Sequence, residues 1–536
     1  MRVGRRNIID KLYHTGNWVV RIVGSAIFLA LGWYSMRFTY YMEPGQGEMP
    51  ILALDSMWKN MFALFVALTV LSALLIMEQR TDRKVQMLLK RATLCAAMLW
   101  TGGASAWWIQ VADRVPEGDQ AFVYGGASRF LEGDFGYLHK GAYMGMHPHQ
   151  LALVALCELL FVFVGTYNYL AIEVICGVMA VGIVYLGYRL VSEITDRMAV
   201  IVGYNLLMLG CLPLIFYTSW CYGDVPSIFC SLIAAWMLMR YAKQGKWGDL
   251  VIMVAAMTFA LLFRKHSLIL LVAMCVAAVL YSLKKRDLRI VAAALLAVVM
   301  FEASYQGIYK MYEVCSGIEH EEGIPFVAWI AMGMQDTQYH YYGWFNNYPK
   351  SIYGQVDGDA QKVVEASLQD LRERFATFRS DPGYAKVFFR EKILSQWNQP
   401  LYQSVYFNTK YLEGLQPGPN SFASKVSGIY FEHILNFSDR WQFVVFIGML
   451  CYFLFAVRKD SNVLQHVLAI TMIGGFFFSI VYEAKARYIF PYYVTMFPFA
   501  VYGYQQMLER VTSLLGRGRV DQAQTDAEAY EDEKTA

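Results

Sequence analysis

Apolar runs long enough to cross a bilayer recur along most of this chain, separated by short polar stretches that hold its charges. A helix needs about 20 apolar residues to span the hydrocarbon core. The pattern places spans near 18–40, 51–77, 92–110, 169–188, 198–217, 226–241, 249–264, 267–283, 289–306, 441–457, 463–482 and 487–508. The expected fold is therefore an all-α polytopic membrane protein of about 12–13 transmembrane helices. The basic start MRVGRRNIIDK leads into the first run with no signal-type cleavage pattern, so residues 1–17 are read as a cytoplasmic N-terminus.

Loop charge orients the layout, because cytoplasmic loops carry the excess Lys and Arg. QRTDRKVQMLLKR, YRLVSEITDR, RYAKQGKW, KKRDLR, VRKD and LERVTSLLGRGR then all fall on the cytoplasmic side. One further crossing at 149–165 would invert every later loop, so that stretch is expected to lie along the outer interface. The domains that follow are a transmembrane domain 18–306 with an outer loop 111–168, an extracytoplasmic insert 307–440, C-terminal helices 441–508 and a cytoplasmic tail 509–536. The insert mixes Gly, Asn, Pro and aromatics with amphipathic turns such as KVVEASLQDLRERFATF, as a small soluble domain or lid would. The tail DQAQTDAEAYEDEKTA is acidic, without apolar periodicity, and is expected to be disordered.

Composition supports this class: 57% of residues are hydrophobic and 17% charged. The net charge of +3 comes from dispersed basic clusters, which speaks against nucleic acid as a partner. Nine cysteines sit singly and mostly in apolar runs, giving neither a disulfide framework nor a CxxC metal motif.

Candidate chemistry concentrates in PEGDQAFVYGGASRFLEGDFGYLHKGAYMGMHPHQ, residues 116–150. Asp119 opens a short helical run at the membrane edge, where a carboxylate can take a proton from a hydroxyl. Asp134, His139, His147 and His149 add acid, base or ligand groups, and Pro148 suits the first turn of the next helix. A His-x-His pair leaves a divalent metal ion possible and requires none. Arg264 and Lys265 in FRKHS, and Glu483, Lys485 and Arg487 in EAKARYIFPYY, lie in outer loops that should be poor in cations. An anion at the outer surface explains them, since Arg offers phosphate a forked donor set. Snorkelling from helix ends is the plainer reading of Arg264 and Lys265.

Four stretches carry a resemblance: GDQAFVYGGASRFLEGDFGYLHKGAYMGMHPHQ, SWCYGDVPS, FFREKILSQWNQPLYQS and EAKARYIFPYY. Together they resemble the GT-C membrane glycosyltransferases, in particular the bacterial relatives of protein mannosyltransferases and of the aminoarabinose transferase of lipid A. The resemblance implies that Asp119 is the catalytic base or binds the acceptor and that His147–Pro148 is the family's His-Pro element. It also implies that Asp224 is the acid of the next outer loop, and that Arg487 with Tyr488 lies near the donor phosphate. Such enzymes take sugar from a polyprenyl-phosphate donor in the cell membrane, here a bacterial plasma membrane. Two departures stand out. Asp119–Gln120 replaces the family's frequent Asp-Glu, which puts metal use in doubt. A helical hairpin, residues 18–77, precedes the acidic loop and makes Asp55 a rival to Asp119.

The expected reaction holds the donor phosphate with Arg487, Tyr488, Lys485 and Arg264 while Asp119 activates a hydroxyl acceptor for inverting attack. His147, His149 and Asp224 complete the substrate site. Trp397 and Tyr402, with Trp344 and Tyr406, are expected to stack on sugar faces. A transporter or flippase would share the hydrophobicity but should carry ionisable groups at mid-membrane or broken helices in matched halves.

Overall fold

The computed structural model describes residues 2–113, 115–337, 341–408, 418 and 420–535, with side chains from Ile9 to Leu514. It is a bundle of helices with one two-stranded sheet among the described residues. Eight helices are long and apolar enough to cross a membrane, or up to ten if each of two bent pairs is one span. Two of the expected twelve runs depart for local reasons. The 198–217 run breaks into Met198–Met208 and Leu212–Phe216 with a 52° bend beside Pro213, and the 249–264 run is a 17-residue helix, Trp247–Phe263.

The first span ends at Ser35 and the second begins at Met57, inside the expected 18–40 and 51–77, because the chain between them is not helical. Arg2–Ser35 and Met57–Arg80 flank strands Phe38–Tyr41 and Ile51–Leu54, paired antiparallel with Phe38 opposite Leu54 and Tyr41 opposite Ile51. FTYY has the aromatic and branched residues that favour strands, and the Pro and Gly of EPGQG make the turn. Neither helix stands apart from the rest. Arg2–Ser35 packs on Phe431–Cys451, with Phe28 against Phe446 and Phe453, and Met57–Arg80 packs on Met198–Met208 and Phe431–Cys451. Phe431–Cys451 in turn meets the last helix, Phe490–Thr535, at a close crossing. A Cβ on Gly448 would lie 2.6 Å from that of Ala500, so only the small residue lets the two backbones approach.

Leu151–Val164 has 14 residues, about 21 Å, which is too short to cross a core of about 30 Å unaided. It meets the preceding Gly136–Met146 stretch at 102° and packs under the helix Asp119–Leu131.

The 307–440 segment is not a separate soluble domain. The helix Arg289–Ser316 and the helix Phe431–Cys451 run into both its ends. Phe326–Gly333, Ala360–Ser380 and the start of Pro382–Trp397 form a small cluster around Phe378 and Phe388. The stretch from Trp397 to Phe407 is instead sunk into the main core. The backbone of the acidic tail continues the last helix to Thr535 in place of the expected irregular chain. Its run of Ala, Gln and Glu without proline allows this.

Candidate active site

At one end of the bundle a cavity of about 1490 Å³ brings the outer-loop candidates together. Asp119, Tyr222, Arg264, Lys485, Arg487 and Tyr488 all line it, as do His147 and His149. Asp119 is the first residue of its helix, turned into place by Gly118 at φ +62°, ψ −139°. That backbone conformation is open to glycine and strained for other residues. Tyr143 hydrogen-bonds Asp119, and its hydroxyl lies 3.0 Å from that of Tyr222. Burial would raise the Asp119 pKa, but the charges of Lys485, Arg487, His147 and Lys350 outweigh it and hold the carboxyl below its ordinary value. Gln120, where the resemblance has a second acid, is fully buried and accepts from the Tyr169 hydroxyl at 2.8 Å and the Cys221 amide at 3.3 Å. It ties the Asp119 helix to the Trp220–Tyr222 turn instead of facing a ligand.

Arg264, Lys265, Lys350, Lys485 and Arg487 bring five cations to the lining, and three of them stand out. Arg487 is 3% exposed and ringed by Trp220, Tyr222, Phe407 and Tyr488, with centroids 4.9–5.7 Å from its guanidinium. Its Nε has no acceptor among the described residues. Burial disfavours its charge, but Asp224 and neighbouring tyrosines more than restore it, so the guanidinium stays protonated. Arg264 is paired through Nε with Asp224 at 3.4 Å. Lys485 lies between Glu48 at 3.3 Å and Glu483 at 3.5 Å. Tyr488 donates to Glu483 at 2.9 Å and stacks on His266 at 5.7 Å. Asp224, expected to bind substrate, is thus 4% exposed and engaged in holding Arg264.

The turn that presents these cations is itself clamped. Gln396 Oε1 accepts from the Lys485 amide at 3.3 Å, and Gln403 Oε1 accepts from the Arg487 amide at 3.1 Å. This corrects the reading of Trp397 and Tyr402 as sugar-stacking rings, while Trp344 and Tyr406 do line the cavity. Trp397 is fully buried, donates to Ser479 at 2.9 Å and lies flat on Tyr492 at 6.0 Å. Tyr402 is fully buried, and its hydroxyl accepts from Gln442 at 2.7 Å. Neither ring has a free face for a sugar. Aromatic rings that do line the cavity include Trp329, Tyr341 and Phe345.

His147 is 6% exposed, its ring 4.9 Å from Tyr143 and 5.9 Å from Trp329. Burial lowers its pKa to about 4 against the pull of Asp119, so it is neutral near pH 7. His149 lies 3.0 Å from the Gln150 amide, and its ring centroid is 6.0 Å from that of His147. Among the described residues no three His, Cys, Asp or Glu side chains converge as metal ligands do. Asp134 lies outside the cavity lining and pairs with Arg129 at 3.7 Å. Asp55 lies outside it too, next to Asp439 and Arg440, where burial pushes its carboxyl up to about 7. The rival to Asp119 therefore belongs to a different place. Glu48 and Lys350, which no sequence signal marked, are part of the lining.

One side of the cavity is apolar. Leu268, Ile269, Val272 and Val276 line it there with Ile470, Gly474 and Phe478, and Leu268, Val272 and Val276 are exposed. A polar, charged pocket thus opens through an apolar slot between the helices Leu268–Lys285 and Val467–Val481. No curated protein matches the chain. Residues 148–305, which include Asp224 and Arg264 but not Asp119 or Arg487, are similar to the family model of dolichyl-phosphate-mannose-protein mannosyltransferase.

Proposed function

We propose that the protein moves a sugar from a polyprenyl-phosphate donor to a hydroxyl acceptor at the outer face of a bacterial plasma membrane, with inversion at the anomeric carbon. The observation that carries this reading is the meeting of the Asp119 carboxylate with buried cations, Lys485 and Arg487, in a cavity continued by an apolar slot. The slot suits a polyprenyl tail and the cations suit its phosphate. The acceptor oxygen attacks the anomeric carbon as its proton passes to Asp119. The bond from that carbon to the phosphate oxygen breaks, its electron pair leaves with the phosphate, and Arg487 and Lys485 stabilise the charge that grows there. Tyr143 holds the Asp119 carboxylate in place. Acceptor contacts pass to Trp329, Tyr341, Phe345 and the neutral His147 ring, with the sugar and acceptor classes left broad: a glycopolymer, a lipid or a protein hydroxyl.

The test is release of polyprenyl phosphate by purified protein from a panel of lipid-phosphate sugars. Asp119→Asn should lower turnover by about 100-fold or more, the range of a positioned base, while donor binding persists. Asp134→Asn should stay near the unsubstituted rate. Near-normal transfer by Asp119→Asn removes the mechanism, and no release from any donor favours a transporter or flippase of a lipid-linked or polar solute.

A further inference from the structure

A second cleft, of about 710 Å³, opens at the other end of the bundle from the candidate site. Two helices reach from one to the other. Asp224–Gln244 starts at the Asp224 that pairs with Arg264 and ends with Gln244 in the cleft, 21 residues that make about 31 Å of helix. Leu268–Lys285 starts with Leu268 in the cavity lining and ends with Lys285 in the cleft. A hydrocarbon core is about 30 Å thick, so the cleft lies at the opposite membrane interface, at the depth of lipid headgroups. We propose that this cleft holds the phosphate of an anionic phospholipid from the surrounding bilayer, with Lys285 and Arg286 as its partners.

The charges of the cleft point to an anion. Its basic residues are Lys243, Lys285, Arg286 and Arg289, against the single acid Asp287. Asp287 is already engaged: Arg289 grips it through Nε at 2.9 Å and through a terminal nitrogen at 3.2 Å, and the Tyr241 hydroxyl donates to it. Lys243 pairs with Glu193 at 3.0 Å. Lys285 and Arg286 are exposed and make no ion pair among the described residues. A hydrogen-bonded turn presents them, since the Arg286 amide donates to the Ser282 carbonyl at 2.7 Å and Ser282 Oγ donates to the Asp287 carbonyl. Arg offers phosphate a forked donor set and Lys a point charge. The apolar surroundings select a lipid over free phosphate: Leu288 lines the cleft at 74% exposed, and Trp247, which follows Gln244 in the chain, is 72% exposed. Basic pockets between membrane helices, flanked by interfacial aromatic residues, are where anionic headgroups settle.

The experiment reconstitutes the full chain in nanodiscs holding equal amounts of phosphatidylglycerol and phosphatidylcholine and reads the retained lipids by native mass spectrometry. The unsubstituted protein should keep phosphatidylglycerol over phosphatidylcholine by about tenfold or more. Lys285→Gln combined with Arg286→Gln should erase most of that preference. Arg83→Gln combined with Lys84→Gln, an equal loss of exposed charge outside the cleft, should leave it in place. Phosphatidylglycerol should also raise the thermal midpoint of the unsubstituted protein and leave that of the Lys285 and Arg286 variant unmoved. No preference in the unsubstituted protein overturns the proposal, whether or not the variant folds. So does a preference that survives the loss of Lys285 and Arg286, or one that both double variants lose equally, as the general attraction of basic loops to a charged surface would give. Displacement of the retained lipid by inorganic phosphate makes free phosphate the occupant and overturns it as well.

Discussion

Asp119 sits among cations that make it a poor proton acceptor in the empty site and a better one once they are occupied. Its carboxyl is held below the ordinary carboxylate value chiefly because Lys485 and Arg487 outweigh its burial. A bound phosphate answers those same cations and lets the Asp119 pKa climb. The base must be ionised to work, so activity falls as pH drops through its pKa. The acid limb of kcat/KM, which reports the free protein, should therefore lie below the ordinary carboxylate range, and the acid limb of kcat should lie higher. Coincident limbs in a pH-rate series would detach the base from the phosphate cations. The clustering of Asp119, Lys485, Arg487 and Arg264 was legible in the sequence, because cations in loops that should lack them mark an anion. The place of Trp397 and Tyr402 was not, since aromatic content does not tell which face of a chain meets water. Nor was Glu48 legible, being a lone acid in a glycine-rich turn.

Among the elements, the stretch from Gln396 to Gln403 matters most for the site while touching no ligand. It fastens the Lys485–Tyr488 turn on one side and the hairpin on the other, through Gln396, Asn398 and Gln403. Tyr402 and Gln403 sit at φ +47° and +63°, a left-handed pair of non-glycine residues that the surrounding packing must hold. Trp397→Ala removes a fully buried ring from this clamp and should destabilise the protein by about 3–5 kcal/mol. A thermal-shift measurement should find a lowered midpoint, and donor binding should weaken along with turnover. A change confined to the acceptor KM would return Trp397 to a sugar-stacking role. The hairpin escaped sequence reading because its apolar residues extend the runs of the helices beside it, so hydropathy alone merges strand and span.

For the whole molecule, the outward orientation of the cavity is a proposal that rests on the basic loops, some of which meet one another: Arg197 pairs with Glu78 and Glu509, and Lys90 donates to the Asp196 carbonyl. Cysteines placed at the exposed positions Ser351 and Ser380 should react with an impermeant thiol reagent in intact cells, and one at the exposed Lys246 should not. The exposed native thiols, Cys95 and Cys315, must first be replaced. Labelling at Lys246 with silence at Ser351 and Ser380 would turn the protein over and put the cavity in the cytoplasm. The class of fold was legible from composition and span length; the break beside Pro213 and the hairpin between the first two spans depend on local residues that a sliding hydropathy sum averages away. The apolar slot between the Leu268–Lys285 and Val467–Val481 helices has a kinetic consequence. A tail lodged in it stays within the bilayer throughout the cycle, so the donor reaches the site by two-dimensional diffusion, and saturation should track its mole fraction in the membrane; adding inert lipid at constant donor should slow the protein as dilution slows a soluble enzyme.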